Sequence, residues 1–454
     1  MSTLSTKAMS ALSINLLVYY FMKEFKDHSP LGFHMIILFS NIKDNGKAVM
    51  HYVATALLND QQRRKTTDAV EKFRKSTLAK QLQDALVRRS EEKRNWLEDW
   101  WYDAYNEVRE PLVPYLSLAS SNSTWTPLEG SQICRAADDI YYWMRFWEKI
   151  RKGTLPIMRS RGVIWDMHQY HCLFNSSRVP EMPKDRIYRY FKTESEGDCP
   201  SHITVLCRGK IWRVEMLRDG ELKTPDELHH VLSYIDRNSK DDERSVACLT
   251  TQNRDKWAKS RASLIASSPT NERHIRSIEE SCFCLTLTDN TYETTPELLH
   301  ASLMGESRMQ WADKCVNIIA CKDGRMLLQG DPMAIRRCND CIIQAGIPHP
   351  SRNSFTKSSL EAKSLKKRLY AGTMENIFTR FIGYMGENDE IGAYGYVSAM
   401  RPDGYGTFYR IGKKRIQLTI SDWQPSKSDL EAYGANIEWA LTKLSQLFIS
   451  NAKL

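Results

Sequence analysis

Hydrophobic and polar positions alternate helically in the first part of the chain. Val70, Phe73, Leu78, Leu82 and Leu86 recur at near-helical spacing through the charge-dense stretch 61–94, which predicts an amphipathic helix. Its basic pairs, in "QQRRK" and "VRRS", then form a solvated face. The next run, "RNWLEDWWYDAYNEVREPLVPYL", gathers three tryptophans and three tyrosines into a helix expected to end near Pro111. From residue 202 the pattern changes to strands. "HITVLC" and "IWRVEML" read as strands joined by a tight turn at "RGK". "KTPDELHHVLSYIDR" reads as a helix with Thr224 at its N-cap and Pro225 at its first position. Near the end, "GTFYRI" and "RIQLTISDW" flank Gly412-Lys413-Lys414 as a second hairpin, with Ile416, Leu418 and Ile420 alternating with Gln417, Thr419 and Ser421. A last helix is expected from a capping box at Ser428 and Glu431, its apolar face being Leu430, Tyr433, Ile437, Leu441, Leu444 and Phe448. Helices and strands mix throughout, so the class is α/β or α+β. Between Pro332 and Asn388 the pattern weakens: "NSFTKSSLEAKSLKKRLYAG" is polar, basic and poorly periodic, a linker or a seam.

Composition changes this picture little. The 454 residues leave room for about three domain-sized units, and 42% hydrophobic residues with 12 Trp and 20 Tyr suffice for large cores. The net charge of +9 suits an anionic partner: a nucleic-acid stripe should cluster that charge, and here it is spread along the chain, while a polyphosphate cofactor is equally compatible. Nothing beyond that charge favours nucleic acid. Eleven cysteines form no repeating frame; Cys338-x-x-Cys341 lacks a second ligand pair, so no metal is expected and a reducing compartment is the simpler reading. The apolar runs "ALSINLLVYYFM" and "FHMIILFSNI" are too short to span a bilayer, leaving residues 1–44 as an atypical leader. The final Ala452-Lys453-Leu454 is a close variant of the S-K-L peroxisomal address.

Several segments, in order, carry a resemblance: "KRNWLEDWW", "YFKTESEGDCPSHITVLCRG", "TTQNRDKWAKSR", "WADKCVNIIACKDG" and "PDGYGTFYRI". Together they resemble the choline/carnitine acyltransferase family, and within it the peroxisomal carnitine octanoyltransferases. The likeness runs from about Asn45 to Asp331 and resumes near Gly346. It implies two chloramphenicol-acetyltransferase-like α/β domains, the second incomplete here, around a tunnel in which an acyl group passes between coenzyme A and the carnitine hydroxyl. It implies acyl-coenzyme A as co-substrate and no bound cofactor. Such chemistry needs an imidazole to take the hydroxyl proton and a donor for the oxyanion. The family places its histidine directly after a residue corresponding to Asp331, and here that position is Pro332. A Ser-Thr-Ser motif supplies the donor, and its alignment falls on Phe378-Thr379-Arg380, keeping Thr379. The block that in relatives binds the coenzyme A phosphates and the carnitine carboxylate is missing between Asp331 and Gly346, so no cofactor-binding residue is named.

The resemblance also carries over Trp101 and Tyr105 as residues beside the carnitine pocket, where aromatic faces attract a trimethylammonium head by about 0.5–2 kcal/mol. Core packing is the competing reading, and this chain has one residue fewer between them than the family pattern. Among other histidines, His202 matches a strand position and reads as structural, His349 sits among prolines, and His168 stands in "DMHQY". None has a partner at a suitable spacing, so no residue is assigned a catalytic role. "KSLKKR" at 363–368 reads as an exposed helix face or a grip on coenzyme A phosphates. The expected organisation is a leader (1–44), an N-terminal helical segment (45–110), a first acyltransferase domain (111–331), an irregular junction (332–388) and a remnant of the second domain (389–454). The expected function is transfer of medium-chain acyl groups between coenzyme A and carnitine, with little activity in this chain; the alternative is a non-catalytic binder or scaffold. The peroxisome is the expected location, through an import receptor at Ala452-Lys453-Leu454, with the cytoplasm as the alternative.

Overall fold

A computed structural model describes residues 59–121, 131–330, 370–383, 394–399, 404–411, 416–423 and 428–451, with short interruptions at 94, 96–97, 158, 161–162, 165–166, 242–243, 294 and 375–376. The leader, Asp331 and Pro332, Cys338 and Cys341, His349, the basic run at 363–368 and the last three residues lie outside them. The chain divides into two compact units, one up to Val108 and one from Arg109.

In the first unit the stretch expected as one helix is two, α1 (Asp60–Arg74) and α2 (Thr77–Glu92). Ser76 causes the break: its hydroxyl accepts the Ala79 N–H at 3.1 Å, capping the second helix and competing with continuation of the first. The aromatic helix follows as α3 (Glu98–Asn106), ending ahead of Pro111.

Among the described residues the second unit holds two larger sheets and three two-stranded ones. The strands of the two larger sheets, in chain order, are β1 (Leu118–Ser121), β2 (His202–Cys207), β3 (Lys210–Glu215), β4 (Cys284–Leu287), β5 (Val316–Ala320), β6 (Met326–Gly330), β7 (Tyr370–Met374), β8 (Ile377–Gly383), β9 (Tyr394–Val397), β10 (Gly406–Ile411) and β11 (Ile416–Trp423). The larger sheet has seven strands in the order β9-β1-β6-β5-β4-β2-β3, and the smaller has four in the order β7-β8-β11-β10. β4 runs parallel to β2 and β5, and the remaining pairs are antiparallel. The hairpin read at "RGK" closes on Arg208 and Gly209, whose φ of 47° and 80° match the left-handed pair of a type I′ turn.

Helices cover both faces of the large sheet. One face carries α4 (Gln132–Arg151) and α5 (Pro225–Asn238). Their Ile140, Trp143, Trp147, Leu228 and Leu232 pack on the alternate strand positions Ile203, Val205, Leu285, Val316 and Ile318. α5 starts as expected, with Thr224 and Glu227 forming a reciprocal capping box and Pro225 in the first turn. The opposite face carries α6 (Arg254–Ser267), α7 (Pro269–Glu280) and α8 (Thr295–Met304). There Trp257 and Ile278 pack on Leu206 and Cys284, and Leu299 and Leu303 on Ala119. This explains why the central strands are apolar on both sides rather than alternating.

The last helix, α9 (Leu430–Asn451), packs Leu430, Tyr433, Ile437 and Leu441 against Leu418 and Ile420 of β11. Its start differs from expectation: Asp429, rather than Ser428, accepts the Ala432 N–H at 2.8 Å, while the Ser428 hydroxyl donates to Asp422 at 2.7 Å. Among the described residues no helix is long and apolar enough to cross a membrane.

Candidate active site

β6 delivers the chain to the position where the resemblance seeks a base. Its last residue, Gly330, pairs with Leu118 of β1 and Val316 of β5, in the interior of the large sheet. Thr379 lies on β8 of the smaller sheet, in register with Gly372 of β7 and Ser421 of β11. α8 joins these two regions: Leu298 packs on Ile319 and Leu327 of the large sheet, and the helix also lies against β7, β8 and β9. The junction is tight at Gly406, where an added Cβ would stand 2.6 Å from the Ser398 carbonyl carbon and 2.7 Å from the Ala399 nitrogen. Trp423 bridges the same junction, stacking on Tyr115 with ring centroids 4.5 Å apart and donating its indole N–H to the Ala399 carbonyl at 2.6 Å.

Trp101 and Tyr105 stand four residues apart on α3, in the first unit; Thr379 belongs to the second. α3 is latched to α2. Arg89 lies over the Trp100 ring at 4.6 Å and reaches Asp99 at 3.1 Å, and Lys93 reaches the same carboxylate at 3.2 Å. The Lys93 hydrogen bond, with Arg89 adding to it, holds the Asp99 carboxyl below its usual range against partial burial.

The histidines sort by their surroundings. His202 on β2 is buried, and its Nε2–H donates to the Ser277 carbonyl at 2.7 Å. Burial lowers its pKa, with Arg213 and Lys314 adding to that and the Ser277 bond opposing it. Its Nδ1 is buried without a partner, so it serves the sheet, as the sequence suggests. His168 is half-buried, its ring 5.5 Å from that of His171. His300, not weighed from sequence, is half-buried on α8, the helix that joins the two sheets, and burial lowers its pKa.

A buried polar assembly of the second unit was also missed. Arg254 donates to Asp185 at 2.7 Å, to Asp313 at 2.6 Å and to the Arg178 carbonyl at 3.0 Å. Trp257 donates to the other Asp313 oxygen at 2.6 Å, and Arg178 and Arg109 complete the shell of Asp185 at 2.9 and 2.8 Å. Burial works against the Arg254 charge, and the Asp313 and Asp185 carboxylates more than reverse that, raising its pKa. Burial raises the pKa of Asp313, with Arg254 and Trp257 opposing. With its carboxylates held by guanidinium and indole donors, the assembly is a scaffold rather than a proton-transfer site. Its only trace in the sequence is that Arg254 and Asp313 fall inside two of the resembling segments, "TTQNRDKWAKSR" and "WADKCVNIIACKDG".

Comparison with known proteins agrees with the segments. The family model described as Choline/Carnitine o-acyltransferase matches residues 47–369. The human peroxisomal carnitine O-octanoyltransferase is 35% identical over 277 residues, covering 59% of this chain and 45% of the relative, and the mouse protein matches to the same extent. The human mitochondrial carnitine O-palmitoyltransferase 2 is 28% identical over 325 residues, covering 62% of this chain and 47% of the relative. The chain thus spans about half the length of the curated relatives it matches. With most of its length matched by that family model, the chain belongs to the choline/carnitine O-acyltransferase family.

Proposed function

We propose that this chain binds carnitine and a medium-chain acyl-coenzyme A, and that transfer of the acyl group between them is slow or absent. The observation that carries the reading is the family match across residues 47–369, with octanoyltransferases among the relatives. Two chloramphenicol-acetyltransferase-like domains form the frame, the second reduced to its C-terminal part, with boundaries near residues 110, 331 and 388. In this reading Trp101 and Tyr105 contact the carnitine trimethylammonium by cation–π attraction, and Thr379 donates to the oxyanion. Pro332 stands where the family's base would follow Asp331. Loss of a general base alone costs about 10²–10⁴ in rate, and loss of the anchors for phosphate and carboxylate adds mispositioning. Its place is the peroxisome, in keeping with the names of the octanoyltransferase relatives, with Ala452-Lys453-Leu454 as the import signal.

The test pairs two measurements on the purified 454-residue chain. Calorimetry with carnitine and with octanoyl-coenzyme A reads binding, and release of free thiol reads transfer. Binding of both, with transfer at least about 10²-fold below a full-length octanoyltransferase, is the expected result. Transfer at the relative's rate overturns the loss of catalysis, and failure to bind either ligand overturns the function itself.

A further inference from the structure

We propose that Asn317 and Gln329 hold a buried water molecule between β5 and β6, one residue before Gly330, where β6 leaves the large sheet.

The two residues stand directly opposite each other in the antiparallel β5–β6 ladder. Opposed side chains on one face of such a pair have Cβ atoms about 4.5–5.5 Å apart, which puts the two carboxamides on the same face of the sheet as neighbours. Each is only 1% exposed. Each amide nitrogen is already committed: Asn317 Nδ2 donates to the Lys314 carbonyl at 3.1 Å, and Gln329 Nε2 donates to the Leu303 carbonyl of α8 at 2.6 Å. Rotating either amide by half a turn would set oxygen against carbonyl oxygen, so the orientations are fixed. The consequence is that Asn317 Oδ1 and Gln329 Oε1 are both buried with no hydrogen-bond donor.

The neighbours along the row do not supply one. Ala119 of β1 lies opposite Gln329 and Cys284 of β4 lies beside Asn317. A methyl group donates nothing, and burial pushes the Cys284 thiol up to about 12, leaving a neutral and weak donor. A buried acceptor without a donor is costly, and two on directly opposed residues point to one species with two hydrogens. Water fits that demand, since buried waters bridge two to four otherwise unsatisfied groups. A metal cation fits poorly: the site offers two neutral oxygens, no carboxylate is among the partners of either amide, and cations bound through oxygen take several more ligands. The water would tie β6 to β5 through Asn317 and, through Gln329, to α8, fixing the end of β6 from which the chain departs at Gly330.

A crystal structure of the full chain that resolves ordered solvent tests this, with a second crystal soaked in thallium(I). One peak within about 2.7–3.2 Å of both oxygens, with no anomalous signal there, is expected. An empty space between amides that keep their present bonds, or a thallium peak, overturns the water. Independently, oxygen-17 relaxation dispersion counts long-lived internal waters in solution. The Asn317→Leu/Gln329→Met double variant should show one fewer than the parent, and Gln329→Met alone serves if the double variant does not fold. An unchanged count overturns the proposal.

Discussion

A trio of side chains made of an arginine, a carboxylate and a tryptophan is found in each unit, under opposite conditions. In the second unit Arg254, Asp313 and Trp257 are sealed away, with Arg254 and Asp313 at 0% and 2% exposure. In the first, Arg89 and Asp99 beside Trp100 remain 24% and 55% exposed. The distances are alike, 2.6 and 3.1 Å for the ion pairs, so geometry does not separate them. Solvent does. A buried charge that loses its partner cannot recover hydration, whereas an exposed one is rehydrated at once, and its pair contributes about 0–1 kcal/mol. The buried trio is therefore a condition for the fold of its unit, and the exposed one adjusts the pose of α3.

Cutting the buried trio sharpens this contrast most. Arg254→Met should destabilise the second unit by about 3–5 kcal/mol, because it removes the guanidinium of the buried Asp313, leaving it only the Trp257 indole, and one of the three guanidinium partners of Asp185. Arg254→Lys should recover little of that, since one ammonium cannot reach two carboxylates and the Arg178 carbonyl in the fork that the guanidinium makes. Denaturant unfolding of the three proteins reads both. If Arg254→Met were as stable as the parent, burial would not be what distinguishes the two trios. Next in size is Gly406→Ala. With its Cβ closer than 3 Å to the backbone of Ser398 and Ala399, it should cost about 1–3 kcal/mol by overpacking, seen as a lowered unfolding midpoint.

What was legible in the sequence follows the range of the interactions. The turn at Arg208-Gly209 and the cap at Thr224 involve neighbours, so residue type and spacing announce them. Local competition was harder: Ser76 splits a helix that periodicity runs through, and Asp429 displaces Ser428 as the cap because both residue types suit that role. The trio of the second unit was invisible to periodicity, since Arg254 and Asp313 lie 59 positions apart and Arg254 and Asp185 69 apart. For the candidate site, the resemblance named Trp101, Tyr105 and Thr379, and the structure puts the first two on one helix and the third on a strand of the smaller sheet. It had no means of finding His300, whose interest comes only from where α8 packs.

A smaller effect is expected from pH. The folded His202 titrates below its unfolded value of about 6.5. In the window between its two pKa values the unfolded chain binds more protons, so stability is whole above about 6.5 and is lost as pH falls through that window toward the folded pKa. Unfolding midpoints from pH 7 to pH 5 should fall, and His202→Gln, which keeps a donor for the Ser277 carbonyl, should flatten that slope. An equal slope in both proteins would show that other groups set it.

The smallest change is expected at the exposed trio. Arg89→Ala removes a cation–π contact and one of two ion pairs to Asp99, while Lys93 keeps the other. The loss should be no more than about 1 kcal/mol, and the ion-pair share of it should shrink further in high salt, where exposed charges are screened. Hydrogen exchange should detect it better than global unfolding, as faster exchange of the α3 amides with the second unit unchanged. If Arg89→Ala instead unfolded the chain as thoroughly as Arg254→Met, exposure would not be what sets the two trios apart. If it left α3 exchange untouched at low salt, Lys93 alone would suffice as the latch.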